Sequence, residues 1–193
     1  MDSPGGQDTS LAVVILAGGE GRRMGGAKPL RVLGAATLLD RAIQQAMRWS
    51  DTVVISARER SQAGDAQLTI LLDPPGLRGP LAGLAAAREL GRDMVLTIPC
   101  DMPFLPDDLP TRLAAALPGH AAALASADGQ LHPVCGLWKV AVLDRIEDYA
   151  GSGQSSMIGF ARSVGFASAE LDASTVANIN TPDELVAAAA RIA

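Results

Sequence analysis

Aromatic side chains are scarce in this sequence. Two Trp, one Tyr and three Phe make up 3% of 193 residues. A core must therefore be built from Ala, Leu, Val and Ile, and a stacking platform for single-stranded nucleic acid is disfavoured. Cysteine is scarcer still, with Cys100 and Cys135 alone. They form no CxxC pair or other metal-ligand spacing, so a disulfide framework and a structural zinc site are both excluded. Lysine occurs twice, as Lys28 and Lys139, and the net charge is −5. An acidic chain is a poor general binder of nucleic acid or membrane surfaces, so any polyanion must be held by a local basic site. No apolar run approaches the length that spans a bilayer. Residues 1–10 lack a basic n-region and an apolar h-region, and read as a flexible tail with no signal peptide. A reduced, cytoplasmic protein is the expectation.

What is present is 48% hydrophobic and 19% charged, enough for a sizeable core. Short apolar runs at 11–16, 52–56, 68–72 and 94–98 predict buried strands. Between them, a helix capped by Thr37 with apolar positions Leu38, Leu39, Ile43 and Met47 is expected. A second is expected over 81–90, stopped by Gly91, and a third over 109–117. Strands alternating with helices predict parallel pairing with right-handed crossovers. Beyond Pro118 the alternation loosens. Segments 121–126 and 131–138 flank Asp128-Gly129, a hairpin signal, and helices are predicted over 141–149 and 182–192. The fold class expected is α/β: a Rossmann-like, mostly parallel sheet flanked by helices, with a small β-hairpin insertion in the C-terminal half. Residues 11–193 read as one domain.

The sharpest chemical signal is the Gly-rich stretch from Leu16 to Lys28, directly after the first strand. In open α/β sheets, ligands bind at the carboxyl ends of strands. Leu16, Ala17, Gly18 and Gly19 can bring backbone N–H groups close to a ligand. Arg22, Arg23, Lys28 and Arg31 supply positive charge against the single acid Glu20. This is the basic pocket that an acidic chain needs to hold a triphosphate. Two better-known phosphate loops do not fit. Lys28 follows Ala27 and precedes Pro29, unlike the Gly-Lys-Ser/Thr of a P-loop. Met24 stands where the dinucleotide fingerprint requires Gly or Ala.

Asp101 closes the fourth strand between Pro99 and Pro103, at the same sheet edge. It reads as a Mg²⁺ ligand or as a turn residue, since Mg²⁺ takes one or two carboxylates plus substrate phosphates. Asp73, after the third strand, is a weaker case of the same kind. Gly79-Pro80-Leu81-Ala82-Gly83 opens a helix whose free N–H groups can face an anion or a base edge. His132 alone reads as a packed or surface residue, and Asn180-Thr181-Pro182 as a helix start. Cys100 and Cys135 read as core residues.

Leu16-Ala-Gly-Gly19 with Arg23-Met-Gly and Lys28 resembles the first motif of the small nucleotidyltransferases. Gly79-Pro-Leu-Ala-Gly83, Pro99-Cys-Asp101 and Asn178-Ile-Asn180-Thr-Pro-Asp-Glu-Leu185 resemble later motifs of the molybdenum cofactor guanylyltransferases. The first motif is shared with cytidylyl- and uridylyltransferases, whereas the ordered set of four, from about Leu11 to Leu185, is much more specific. The resemblance implies GTP at the carboxyl edge of the sheet, Mg²⁺ on Asp101, and the Leu16–Gly19 backbone and Lys28 holding the nucleotide. Asp73 would line the GTP site, together with Ser56, which stands where some relatives carry Asn. Asn178 and Asn180 would place molybdopterin, with or without molybdenum, and molybdoenzymes or their chaperones would receive the product. Arg23, Lys28 and Asp101 would be catalytic. The family often has Asp before the motif lysine, where this chain has Ala27. Two rival readings remain: a cytidylyltransferase for molybdopterin or a sugar or alditol phosphate, and a non-catalytic nucleotide- or cofactor-binding delivery protein. Cytidylyl relatives usually carry a second Ala at the position of Gly18.

Overall fold

The computed structural model describes residues 11–18 and 27–192. Seven strands form one sheet: β1 (Leu11–Leu16), β4 (Thr52–Ala57), β5 (Thr69–Leu72), β6 (Met94–Pro99), β7 (Ala122–Ala127), β8 (Gln130–Lys139) and β9 (Phe166–Glu170). Their order is β5-β4-β1-β6-β8-β7-β9. Pairings β1–β4, β1–β6, β4–β5 and β7–β9 are parallel, and β8 alone runs against its neighbours β6 and β7. The hairpin predicted at Asp128-Gly129 exists, with φ of 50° and 76° at the two turn residues. Positive φ at both central positions suits the right-handed twist of the flanking strands. The hairpin is continuous with the main sheet, because β8 pairs with β6 over four residues. A separate two-stranded ribbon joins β2 (Val32–Leu33) to β3 (Ala36–Thr37).

The central strands are apolar on both faces because helices cover both. On β1, Val13 and Ile15 point into one cluster with Leu39, Ala42 and Ala46 of α1 (Leu38–Ala46) and with Leu109 and Leu113 of α3 (Leu109–Ala116). Ala12 and Val14 point into the other. There they meet Leu81 and Leu84 of α2 (Pro80–Ala86), Ile146 of α4 (Arg145–Gly151), and Met157 and Phe160 of α5 (Met157–Val164). Small Ala and Val residues let the helices lie close to the sheet, so the core closes with few rings. Trp138 and Phe160 stack at 5.9 Å between centroids and are the largest fully buried side chains.

Several predicted boundaries shift for local reasons. Thr37 caps α1 with a complete capping box: its side chain accepts from the Asp40 amide, and Asp40 accepts from the Thr37 amide. The helix stops at Ala46, however, so Met47 is its C-cap and is 52% exposed, not part of the buried stripe. The helix predicted over 81–90 begins at Pro80, tightens to a 3-10 turn over Ala87–Leu90, and ends at left-handed Gly91. The helix predicted over 141–149 divides into a 3-10 turn, Val140–Val142, and α4. Two elements carry little signal in the sequence. Gly153, Gly159 and Gly165 punctuate the α5 region, and β9 (Phe-Ala-Ser-Ala-Glu) is a half-exposed edge strand without large alternating residues. The last helix, α6 (Pro182–Ala189), packs Ala188 and Leu185 against Leu33, Leu38 and Ile179. The predicted tail, residues 1–10, lies outside the described residues. Among the described residues, no helix is long and apolar enough to cross a membrane.

Thr37→Ala removes the capping box at the start of α1. Thermal unfolding should show a loss of about 1 kcal/mol, or roughly 2–4 °C in Tm for a chain of this size.

Candidate active site

Parallel register puts three strand ends side by side. Leu16 of β1 is level with Ser56 of β4 and Pro99 of β6. The amide of Ala17 donates to the Ser56 carbonyl at 2.8 Å, and the amide of Cys100 donates to the Leu16 carbonyl at 3.3 Å. The chain leaves β1 for β4 on one side, while β6 lies on the other, so the crevice beyond β1 is the switch point of the sheet. A cavity of about 460 Å³ opens there. Its wall includes Leu16, Ala17, Gly18, Lys28, Ser56, Asp73, Gly79, Asp101, Asn178 and Asn180. Ten positions singled out in the sequence thus meet in one place. Gly19 and Arg23 lie outside the described residues.

Gly83 is not on that wall. A Cβ there would stand 2.3 Å from Ser56 Oγ and 2.8 Å from both Ser56 Cβ and Leu16 Cδ2. Its absence lets α2 press onto the ends of β1 and β4 from behind, which positions the wall without contributing to it. Gly79 has φ 69° and ψ −158°, a region that essentially glycine alone occupies. It turns the chain into Pro80 at the start of α2.

The wall also includes Pro29, Pro80, Pro99, Cys100 and Val134, which the motifs did not single out as ligand-facing. Val134 arrives through a bulge. Leu124 pairs with Gly136 but Ala125 pairs with His132, so Pro133–Cys135 loop out of the ladder. The sequence signal is Pro133 itself, a residue that strands tolerate at bulges and edges. His132 is half-buried beside the bulge and off the cavity wall, and burial lowers its pKa. Burial pushes the thiols of Cys100 and Cys135 up to about 12, with the charge of Asp101 adding to the effect at Cys100. Both are therefore un-ionised core residues and not nucleophiles.

At the opposite side of the cavity from β5, four polar side chains form one network. Lys28 Nζ is ion-paired to Asp101 Oδ2. It also donates to Asn180 Oδ1 at 2.8 Å. Asn178 Nδ2 donates to Asp101 Oδ1 at 3.1 Å, and the Ile179 amide donates to the Asp101 carbonyl at 2.9 Å. The segment 178–180 is thereby strapped across the end of β6. Thr181 then caps α6 in a full capping box with Glu184. The amides of Asn180 and Thr181 donate to the Glu184 carboxylate and hold its pKa below the ordinary value. Asp73 differs: partial burial raises its pKa, and the charge of Arg58 offsets part of the rise.

Among the described residues, no three His, Cys, Asp or Glu side chains cluster to hold a metal ion. A single carboxylate is nonetheless what Mg²⁺ uses when phosphate oxygens and water complete its shell. Asp101 fits that role in the company of a triphosphate.

A switch-point cavity with a glycine-lined wall, one lysine and two aspartates among the described residues defines a nucleotide-handling α/β protein. The sequence model of the MobA-like NTP transferase domain matches residues 13–165, and the chain belongs to that family. It is 40% identical to a molybdenum cofactor guanylyltransferase of Cereibacter sphaeroides over 181 residues, covering 91% of this chain and 93% of the relative. It is 36% identical to one of Rhodobacter capsulatus, covering 94% and 96%. Among solved structures, the molybdopterin-guanine dinucleotide biosynthesis protein A of Archaeoglobus fulgidus shares the fold. Its TM-score is 0.78 at 21% identity, over 94% of this chain and 98% of that one. The 2-C-methyl-D-erythritol 4-phosphate cytidylyltransferase of Thermus thermophilus superposes with TM-score 0.69 at 21% identity, covering 93% and 97%.

Gly83→Ala should overpack the junction of α2 with β1 and β4 and cost about 1–3 kcal/mol. It should also weaken nucleotide binding, because the displaced groups line the cavity. The double variant Ser56→Gly/Gly83→Ala removes the 2.3 Å and 2.8 Å conflicts with Ser56 and should recover part of the loss in denaturant titrations. Strict additivity of the two changes would refute the packing role.

Proposed function

We propose that this protein transfers GMP from GTP to the terminal phosphate of molybdopterin and releases pyrophosphate. The observation that carries the choice of nucleotide is Gly18. It lies on the cavity wall, and among the described residues an added Cβ would meet only the Arg58 amide nitrogen, at an ordinary 3.6 Å. Its φ is not positive. Neither the positive-φ region nor packing against the described residues calls for glycine at this wall position, which supports the reading that a ligand comes close to it. The family membership and the relatives' guanylyl activity agree with a purine there.

The chemistry asks little of the protein beyond placement. A phosphate monoester has a second pKa of about 6 and is already nucleophilic near neutrality. Its oxygen attacks the α-phosphorus of GTP in line, the bond to the β-phosphate oxygen breaks, and pyrophosphate leaves. No general base is needed, which suits a wall whose described residues include no His or Glu. Lys28, joined by Arg23, neutralises charge growing on the pyrophosphate. A Mg²⁺ ion held by Asp101 and the phosphates would supply further charge neutralisation. Asp73, Ser56 and the 16–19 backbone would hold the nucleotide. Asn178 and Asn180, at the rim next to Asp101, would place the acceptor. Delivery of the product to molybdoenzymes or their chaperones, in the cytoplasm, completes the reading.

Thermal shift with Mg²⁺ and a nucleotide panel tests the base. GTP should stabilise the protein more than CTP, UTP or ATP, since only ligand bound to the native state raises Tm. Gly18→Ala should narrow the gap between GTP and CTP, and a larger shift with CTP in the wild type would assign the protein to cytidylyl transfer. Pyrophosphate release with molybdopterin separates an enzyme from a delivery protein. Lys28→Ala should lower that rate by on the order of 10²–10³. Asp101→Asn keeps the shape and the turn while losing the charge that a hard cation prefers. It should remain folded and transfer almost nothing, and normal Mg²⁺-dependent turnover would reduce Asp101 to a turn residue.

A further inference from the structure

The surroundings of Asp101 hold a cation of the protein's own. Lys28 Nζ is paired to Oδ2, and the two side chains are only 11% and 15% exposed. Asn178 Nδ2 occupies Oδ1 at 3.1 Å, and Asn180 Oδ1 fixes the ammonium from a second side at 2.8 Å. Lys28 is also anchored through its backbone. It opens a 3-10 turn in which the Leu30 amide donates to the Ala27 carbonyl at 2.9 Å and the Arg31 amide to the Lys28 carbonyl at 3.1 Å. Buried Pro29 follows at once. The ammonium thus stands at the carboxylate oxygen that a divalent cation would need.

Mg²⁺ binds oxygen at about 2.0–2.1 Å, and an ammonium already paired to the same carboxylate oxygen competes with it for that negative charge. Like charges at that separation repel strongly in a partly dehydrated site. A triphosphate changes the balance. It offers Lys28 several anionic oxygens in exchange for one, and it brings most of the ligands that the metal requires. Lysine suits this exchange because its charge is compact and its four-carbon stem is flexible.

We propose that Lys28 is a resident counter-ion that keeps free divalent cation off Asp101, so that the metal enters only with a triphosphate, which draws the ammonium away from the carboxylate. The proposal rests on the nucleotidyl-transfer reading for the role of the metal, and not on which base is used. Lys28 therefore has two positions, one on Asp101 in the free protein and one on the phosphates. Asp101 is never left as an unpaired, partly buried carboxylate.

Electron paramagnetic resonance titration with Mn²⁺ alone, on the full chain without nucleotide, reads the metal seat directly. Wild type should bind Mn²⁺ weakly, and Lys28→Met should bind it on the order of tenfold more tightly or better, because the competing charge is gone. Lys28→Gln, which keeps a hydrogen-bonding side chain without the charge, should show the same gain and serves if the Met variant is unstable. Lys28→Met/Asp101→Asn should lose the gain, which locates the seat at Asp101. Adding a GTP analogue that cannot transfer should tighten Mn²⁺ binding in the wild type. Wild type binding Mn²⁺ without nucleotide as tightly as Lys28→Met and Lys28→Gln do would overturn the proposal. So would a gain that persists when Asp101 is replaced. The arms without nucleotide are indifferent to base choice, so a failed GTP preference would leave this result standing and sink only the guanylyl reading.

Discussion

The contact between Lys28 and Asp101 is the constraint on which the site depends. It joins the first residue of the 3-10 turn Lys28–Leu30 to one just after β6, and Asn180 extends the join to a residue 152 positions away from Lys28. Such a network cannot be maintained by local structure. Each member has to be delivered by a different part of the fold: Lys28 by a 3-10 turn, Asp101 by the end of a buried strand, and the two asparagines by the lead into α6. A lysine and a carboxylate that are each mostly buried would be costly alone. Together, and with two amide side chains completing their hydrogen bonds, they form a compact charged centre in a chain of net charge −5.

The sheet makes that delivery accurate. Leu16, Ser56 and Pro99 share one level, so the segments that follow them emerge together. Both faces of the sheet are sealed by helices, and this fixes the strand ends. The close approach of α2 at Gly83 fixes the opposite wall. The bulge at Pro133–Cys135 is the counterpart on β8, where a break in the ladder directs Val134 into the cavity. Stability and site geometry therefore have the same source in the lower half of the sheet, and they diverge at its carboxyl edge, where regular pairing stops.

Much of this was legible in the sequence because the physics behind it is local. Apolar runs of five or six residues announce buried parallel strands, and Thr37, Gly91 and Asp128-Gly129 mark ends and turns through their own side chains or backbone freedom. Asp101 stood out because two prolines frame it at a strand end. Asn178 and Asn180 did not stand out by their own chemistry: next to Thr181-Pro182 they read as a helix start, and their meeting with Asp101 and Lys28 depends on tertiary structure. The same holds for Gly83, whose motif suggested a ligand contact while its neighbours Ser56 and Leu16 show a packing role. Val134 was invisible, since its position follows from a register shift between β7 and β8. Edge strand β9 was missed because its small residues pack against β7 without an alternating pattern.

Ala27 shows how the site bears on the backbone that carries it. It has φ 48° and ψ 36°, left-handed values that cost an alanine about 1 kcal/mol. Asp and Asn accept this region more readily because their side chains can hydrogen-bond locally. The Asp that relatives often carry before the lysine is therefore intelligible as a backbone choice as well as an electrostatic one. In this chain the strained turn is held from its far side, by buried Pro29 and by the grip of Asp101 and Asn180 on the lysine. Moving the ammonium from the carboxylate to a triphosphate releases part of that grip. The flexible lysine stem can absorb the movement while Pro29 keeps the turn in place, so the strain at Ala27 need not be relieved for Lys28 to change partners.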